Sequence, residues 1–242
     1  MNQILLITTI AALGPLIGSF LGVYKRCSEK ILYNFLGFAA GIMLAISFVN
    51  LIPESLKLST PLICVIGVIV GSILIFSIDK LIPHIHPSLC LPENPRHELE
   101  KTAIFIIIGI FIHNFPEGLA IGIGFLQSFQ FSLAIALGIA IHDIPEAVCT
   151  SLPYYSLNGK RLKSFLVSAS TVIPTLLGIF IAYFFLGAIS PILIGFLMAS
   201  TAGVMIYIAA DELIPTSFSK LRFGSIYSLT CGLATVILLT LI

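Results

Sequence analysis

Two nine-residue stretches repeat one pattern of metal-binding side chains: Gly109-Ile-Phe-Ile-His-Asn-Phe-Pro-Glu117 and Gly138-Ile-Ala-Ile-His-Asp-Ile-Pro-Glu146. They set His113, Asn114 and Glu117 against His142, Asp143 and Glu146. In a helix, His and Glu four positions apart share a face, and the Asn or Asp after the His is turned by about 100° onto the neighbouring edge. That leaves room for one cation on the shared face and a second on the adjacent edge, with the glutamates shared between them. Imidazole with carboxylate suits Zn²⁺, Fe²⁺, Mn²⁺ and Co²⁺; no Cys or Met pair accompanies the histidines to favour Cu(I), and imidazole disfavours Mg²⁺ and Ca²⁺. Pro116 and Pro145 cannot donate to the carbonyls of Ile112 and Ile141, which then either line the site or mark kinks.

The elements that carry these motifs must lie in a membrane. The chain has 242 residues, of which 58% are hydrophobic and 10% charged, and its mean hydropathy is +1.11. That is more apolar surface than one soluble core can hide. Stretches of about 20 residues, enough to cross about 30 Å of hydrocarbon, occur eight times. Their expected limits are 3–23, 31–55, 61–82, 101–126, 131–153, 164–187, 191–214 and 224–242, joined between the third and fourth by a loop at 83–100. The expected class is an all-α integral membrane protein with a single transmembrane domain over 1–242. The first run follows Met-Asn-Gln, with no positive leader and no small-residue cleavage signal after it, so it is expected to be retained as the first span. The net charge of +1 gives no reason to expect a nucleic-acid partner. Cysteines 27, 64, 90, 149 and 231 are odd in number and scattered, and read as core thiols.

With eight crossings, eleven of the twelve Lys and Arg fall on one side and only Lys57 on the other. The positive-inside rule makes the first side cytoplasmic and puts both termini outside, as expected of a multi-pass protein of the plasma membrane, or of the inner membrane in a Gram-negative cell. Ala40–Ser55 in the second span matches Ala202–Ser217 in the seventh at a constant offset of 162, with eight of sixteen positions identical. Those two spans run in opposite directions, as do the fourth and fifth. The pattern is that of a 3+2+3 inverted repeat, an arrangement in which transporters hold substrate near the midplane.

Asn50 and Glu54, near the outer end of the second span, are candidates for an entrance; Asp211 and Glu212, near the inner end of the seventh, for an exit. Ordinary capping of helix ends is the competing reading. Ser47 and Met43 read as packing residues. In the loop, His84-Ile-His86, with His97, Glu93, Glu98 and Glu100 nearby, is a candidate for collecting metal. The first, third and eighth spans carry few polar residues and are expected to face lipid or a second copy of the chain in a homodimer. The basic turn at Lys160, Arg161 and Lys163 suits anionic headgroups.

The His-Asn-Phe-Pro-Glu-Gly and His-Asp-Ile-Pro-Glu-Ala motifs resemble the paired metal motifs of the ZIP (Zrt/Irt-like) family of divalent metal transporters, in a short prokaryotic-type form, and the resemblance extends over all eight spans. It implies uptake of Zn²⁺, and in some members Fe²⁺, Mn²⁺ or Cd²⁺, into the cytoplasm through a binuclear centre, with the metal as transported substrate and not as a cofactor. Carried onto this chain, one site uses His113, Glu117, His142 and Glu146, and the second Asn114, Glu117, Asp143 and Glu146. Some relatives add a glutamate before a proline in the sixth span. Here that residue is Ile173, which leaves the second site weaker, transiently occupied or completed by water.

An intramembrane metallohydrolase would also need His and carboxylate at depth, but no His-Glu-x-x-His pattern is present. A channel-like conduit differs from an alternating-access carrier only in mechanism, and a proton-coupled carrier of a non-metal substrate is distinguished by metal-binding stoichiometry. With no Gly-x-x-x-x-Gly-Lys-Ser/Thr motif, the expected driving force is a gradient, a membrane potential or cytoplasmic sequestration.

Overall fold

The computed structural model describes residues 2–24, 28–81 and 96–241. Among them there is no strand, and apolar helices follow one another through α1 (Asn2–Tyr24), α2 (Glu29–Ala45), α3 (Ile52–Leu58), α4 (Pro61–Leu81), α5 (Arg96–Gln127) and α6 (Phe129–Asn158). The remainder are α7 (Arg161–Ala169), α8 (Val172–Phe185), α9 (Pro191–Ile208), α10 (Ile214–Lys220) and α11 (Arg222–Leu239). Joined end to end, α2 with α3, α7 with α8 and α9 with α10 make single spans. Seven helices among the described residues are long and apolar enough to cross a bilayer, and Phe223–Leu239 is a shorter apolar eighth. The His84 and His86 positions lie outside the described residues.

Local chemistry ends these helices where the sequence changes character. The Ser128 and Ser190 hydroxyls accept from the backbone N–H groups of Phe131 and Leu193, satisfying donors that a helix start leaves open. Pro61 and Pro191 occupy first-turn positions, where a missing N–H costs nothing. At the end of α6 the chain turns through Gly159 at φ +65, a left-handed conformation that glycine adopts without a Cβ clash.

The second and seventh spans each contain one π-helical turn, at Ile46–Leu51 and Ala209–Leu213. The N–H of Ile52 donates to Ser47 O, and the N–H of Ile214 to Ala209 O. These bonds reach back five residues instead of four, and they fall at equivalent positions of the repeat. Pro53 and Pro215 follow immediately. A proline ring crowds the carbonyl four residues earlier, and a widened turn at that point moves this carbonyl aside.

The helices pack as two sets. In one, α1 lies along α6, and α5 along α8 and α6; in the other, α4 lies along α9, and α2 along α11. Exchanging the first three spans with the last three, and the fourth with the fifth, maps α1–α6 onto α5–α8, α4–α9 onto α2–α11, and α5–α6 onto itself, as an inverted repeat requires. Contacts of α2 with α6 and of α5 with α9 join the sets. The apolar core runs through both, including Ile42, Met43, Ile46, Ile135, Ile139, Met198 and Met205. α1 and α4 are mostly outward-facing, with 33% and 17% of their apolar windows buried, against 67% for the second and fifth spans. Cys64 and Cys149 are buried, whereas Cys231 is exposed, so the expectation that every cysteine is a core thiol fails at α11. There the thiol lies on the outward face, where an apolar side chain meets hydrocarbon instead of protein.

Candidate metal centre

A single residue, Ser128, separates α5 from α6, so positions equally far from it stand level. His113 lies 14 residues before Gln127, and His142 lies 13 after Phe129. At 1.5 Å per residue both are about 20 Å from that end, near the middle of the two spans. The helices pass unbroken through Pro116 and Pro145.

The two motifs interlock crosswise. His142 Nε2 lies 3.1 Å from Glu117 Oε1 and 3.3 Å from Asp143 Oδ1, and His113 Nε2 contacts Glu146 Oε1. Ligand atoms of Glu117, His142 and Asp143 all lie within 4.8 Å of one another, a separation that a single bound cation can close. Asp143 stands beside the Glu117–His142 pair, its Oδ1 facing His142 Nε2. The other ring nitrogen of His142, Nδ1, lies 3.3 Å from Gly138 O; a backbone acceptor there fixes the tautomer that leaves Nε2 as a ligand.

Burial makes the cluster chemically pointed. Glu117, His142, Asp143 and Asn114 are each no more than 1% exposed. Among the described residues, Asn114 Oδ1 and Glu117 Oε2 have no hydrogen-bond partner. Each ionised carboxylate at a helix centre costs about 2.5–3.5 kcal/mol on insertion scales, and a divalent cation is the group whose charge offsets several of them together. Glu146 is more open, its side chain 16% exposed. Asn114 Nδ2 donates to the backbone oxygen of Thr171, 2.8 Å away.

The remaining expected residues are spread along the molecule. Asn50 is buried inside the π-turn of the second span. Glu54 is ion-paired with Lys57 at 2.7 Å. Asp211 is exposed. Glu212, its neighbour in the π-turn of the seventh span, lies within electrostatic range of His113 and Glu146 as well as of Asp79, which links it to the cluster. Asp79 accepts a hydrogen bond from Tyr207 Oη at 3.2 Å. Ser47 donates to Met43 O at 2.8 Å and both are buried, in keeping with packing roles. Ile173 is 46% exposed on the outer face of α8. Thr171 and Thr175 are the residues of the sixth span that sequence reasoning passes over. The available signal is Pro174, which disturbs the turn that contains Thr171.

Comparison with known proteins gives the family. The family model described as ZIP zinc transporter matches residues 1–102 and 92–240. A zinc transporter ZupT of Enterobacter sp. (strain 638) is 34% identical over 244 residues, covering 98% of this chain and 95% of the relative. The zinc transporters ZupT of Salmonella arizonae and Escherichia coli O127:H6 are 32% and 33% identical with the same coverage. An eight-span helical chain matched by this model over nearly its whole length is a member of a transporter family, not an enzyme: it belongs to the ZIP zinc transporter family.

Proposed function

We propose that the chain, as one transmembrane domain, carries Zn²⁺ into the cytoplasm, and with it divalent cations of similar ligand preference such as Fe²⁺, Mn²⁺ and Cd²⁺. The cations pass through two adjacent positions on α5 and α6. The observation that carries this reading is the buried meeting of Glu117, His142 and Asp143 within 4.8 Å at the middle of two antiparallel helices. The zinc named in the relatives supports the choice of cation. One position takes His113, Glu117, His142 and Glu146; the other takes Asn114, Glu117, Asp143 and Glu146.

The packing of the helices in two sets supports alternating access as the mechanism. The set holding α5 and α6 moves as a body against the set holding α2 and α9, with the cluster exposed to one side at a time. Where the sets meet, Gly138 of α6 faces Ile46 and Ile42 of the second span, an apolar seam that slides without breaking hydrogen bonds. Asn50 and Glu54 line the outer approach, and Asp211 and Glu212 the inner one. The eleven basic residues on one side orient the termini outward. The outward faces of α1, α4 and α11 meet lipid or a second copy of the chain.

The test is ⁶⁵Zn²⁺ uptake into proteoliposomes by the wild type, Glu117→Ala and His142→Ala, with the metal content of each purified protein. Saturable uptake lost in both variants together with bound metal is expected. Uptake unchanged in both would remove α5 and α6 from the transport path.

A further inference from the structure

At the end of the spans that the positive-inside rule assigns to the cytoplasm, α1, α6 and α7 meet in a corner of unbalanced charge. Lys160, Arg161 and Lys163 follow the Gly159 turn, and the sequence has no Asp or Glu from 147 to 210 or within α1. All three cations are exposed, and among the described residues no carboxylate pairs with any of them. Topology accounts for positive charge on this side. It sets no requirement on how the side chains are held.

Here they are held by tyrosines from two helices. A Cβ at Gly18 would collide with Ile144 O and one at Gly22 with Ser151 Oγ, so α1 lies directly on α6 and carries Tyr24 to the corner. The Arg161 guanidinium carbon stands 5.2 Å from the centre of the Tyr24 ring and 5.8 Å from that of Tyr155, both within cation–π range. Arg161 Nε donates to Tyr155 Oη at 3.3 Å. Tyr24 is itself stacked on Phe20, with ring centres 4.5 Å apart, and Lys163 Nζ lies 5.9 Å from the centre of the Tyr154 ring. The turn is fixed as well: Asn158 Oδ1 accepts from Lys160 N at 2.6 Å, and Asn158 Nδ2 donates to Tyr154 O at 2.7 Å. Among the described residues the two terminal nitrogens of Arg161 have no acceptor, which leaves the fork that grips a phosphate through two bonds. Apolar surface adjoins it. Ser164 and Ser168 turn α7 inward, so Leu162 and Leu166, 70% and 56% exposed, face out, as do Ile17 and Phe20 of α1.

We infer that this corner is a binding site for one anionic phospholipid. The Arg161 fork takes the phosphodiester, Lys160 and Lys163 face the remaining charge of the headgroup, and the acyl chains lie along the exposed faces of α1 and α7. A phosphate free in solution matches the cations alone; a phospholipid matches the cations and the hydrocarbon surface beside them. The site stands apart from the metal centre, and its existence depends neither on the number of bound cations nor on the mode of transport.

Native mass spectrometry of the purified full chain in neutral detergent, titrated with phosphatidylglycerol or phosphatidylcholine, tests it. The wild type is expected to retain one phosphatidylglycerol at least about 10-fold more tightly than phosphatidylcholine, and excess inorganic phosphate is expected not to displace it. Arg161→Gln is expected to abolish the preference. Tyr24→Leu, which keeps every charge but removes one ring from Arg161, is expected to weaken it. Lys220→Gln removes an exposed cation on the same side but outside the corner and is expected to leave it unchanged. Arg161→Gln alters an exposed side chain, so without lipid it is expected to unfold at the wild-type temperature, which separates lost recognition from misfolding. An equal loss in Lys220→Gln would reduce the effect to the general attraction of a basic surface, and a full preference in Tyr24→Leu would reduce it to bare charge; either result overturns the site. Displacement by inorganic phosphate would overturn the lipid as its occupant.

Discussion

Glu117 Oε1 and His142 Nε2 meet at 3.1 Å across two helices although they are 25 positions apart in the chain. The contact is fully buried and Glu117 belongs to both proposed positions. Glu117→Gln keeps a side chain of the same size beside His142 but removes the shared charge. Bound zinc is expected to fall from two equivalents to one or none and uptake to fall at least about 10-fold, the loss that even an outer partner of a metal ligand causes. Metal analysis of the purified variant beside its uptake rate checks this.

The close approach of α5 and α8 has its own signature. Gly118→Val places a branched side chain against the Thr175 backbone, and the helices must separate. Overpacking of this kind costs about 1–3 kcal/mol, so the variant is expected to unfold at a lower temperature in detergent and to bind less metal. Full metal content at wild-type stability would contradict the packing described.

Three hydroxyls bind α1, α6 and α7 together: Ser19 Oγ donates to Ser168 Oγ at 2.8 Å, and Thr150 Oγ1 lies 2.7 Å from the same atom. All are buried. Ser168→Ala leaves Ser19 without this acceptor and is expected to cost about 1–3 kcal/mol, read as a lower unfolding temperature with both metal equivalents retained.

Glu54 and Lys57 form an ion pair in which the lysine side chain is 71% exposed. Exposed pairs contribute about 0–1 kcal/mol, so Lys57→Ala is expected to leave stability unchanged. If Glu54 attracts cations to the outer approach, Glu54→Gln raises the apparent KM for Zn²⁺ uptake without changing the metal bound by the purified protein. A fall in bound metal would move Glu54 into the cluster itself.

A divalent cation entering an interior negative by 100 mV gains about 4.6 kcal/mol. Uptake into proteoliposomes is therefore expected to accelerate when a potassium diffusion potential makes the interior negative, and to slow when it is reversed. Rates indifferent to voltage but dependent on a pH gradient would point to proton exchange as the driving step.

The spans and the paired motifs are legible in the sequence because each rests on a repeated physical requirement. Twenty apolar residues report a crossing wherever they occur, and two copies of His-x-x-Pro-Glu on consecutive antiparallel spans must come level when only Ser128 separates their helices. The π-turns are not legible that way, since hydropathy averages over a widened turn; only the two Leu-Ile-Pro endings mark the place. Thr171 and Thr175 escape for a different reason. Hydroxyls are common in membrane helices, and the motif draws the eye to Ile173. The tightened turn before Pro174 presents Thr171 and Thr175 to α5 and leaves Ile173 on the outer surface. A thiol at 231 reads as core by residue type alone, because composition does not distinguish a lipid-facing position from an interior one.

The π-turns also bear on the history of the chain. The offset of 162 holds without a gap on both sides of each turn, so the residue that widens the helix is present in both halves at one equivalent position. The simplest descent places that residue in a single ancestral three-span unit before it was duplicated and inverted. On that descent Asn50 and Glu212, which occupy the same place in the two turns, mark a position at which the halves have since come to differ.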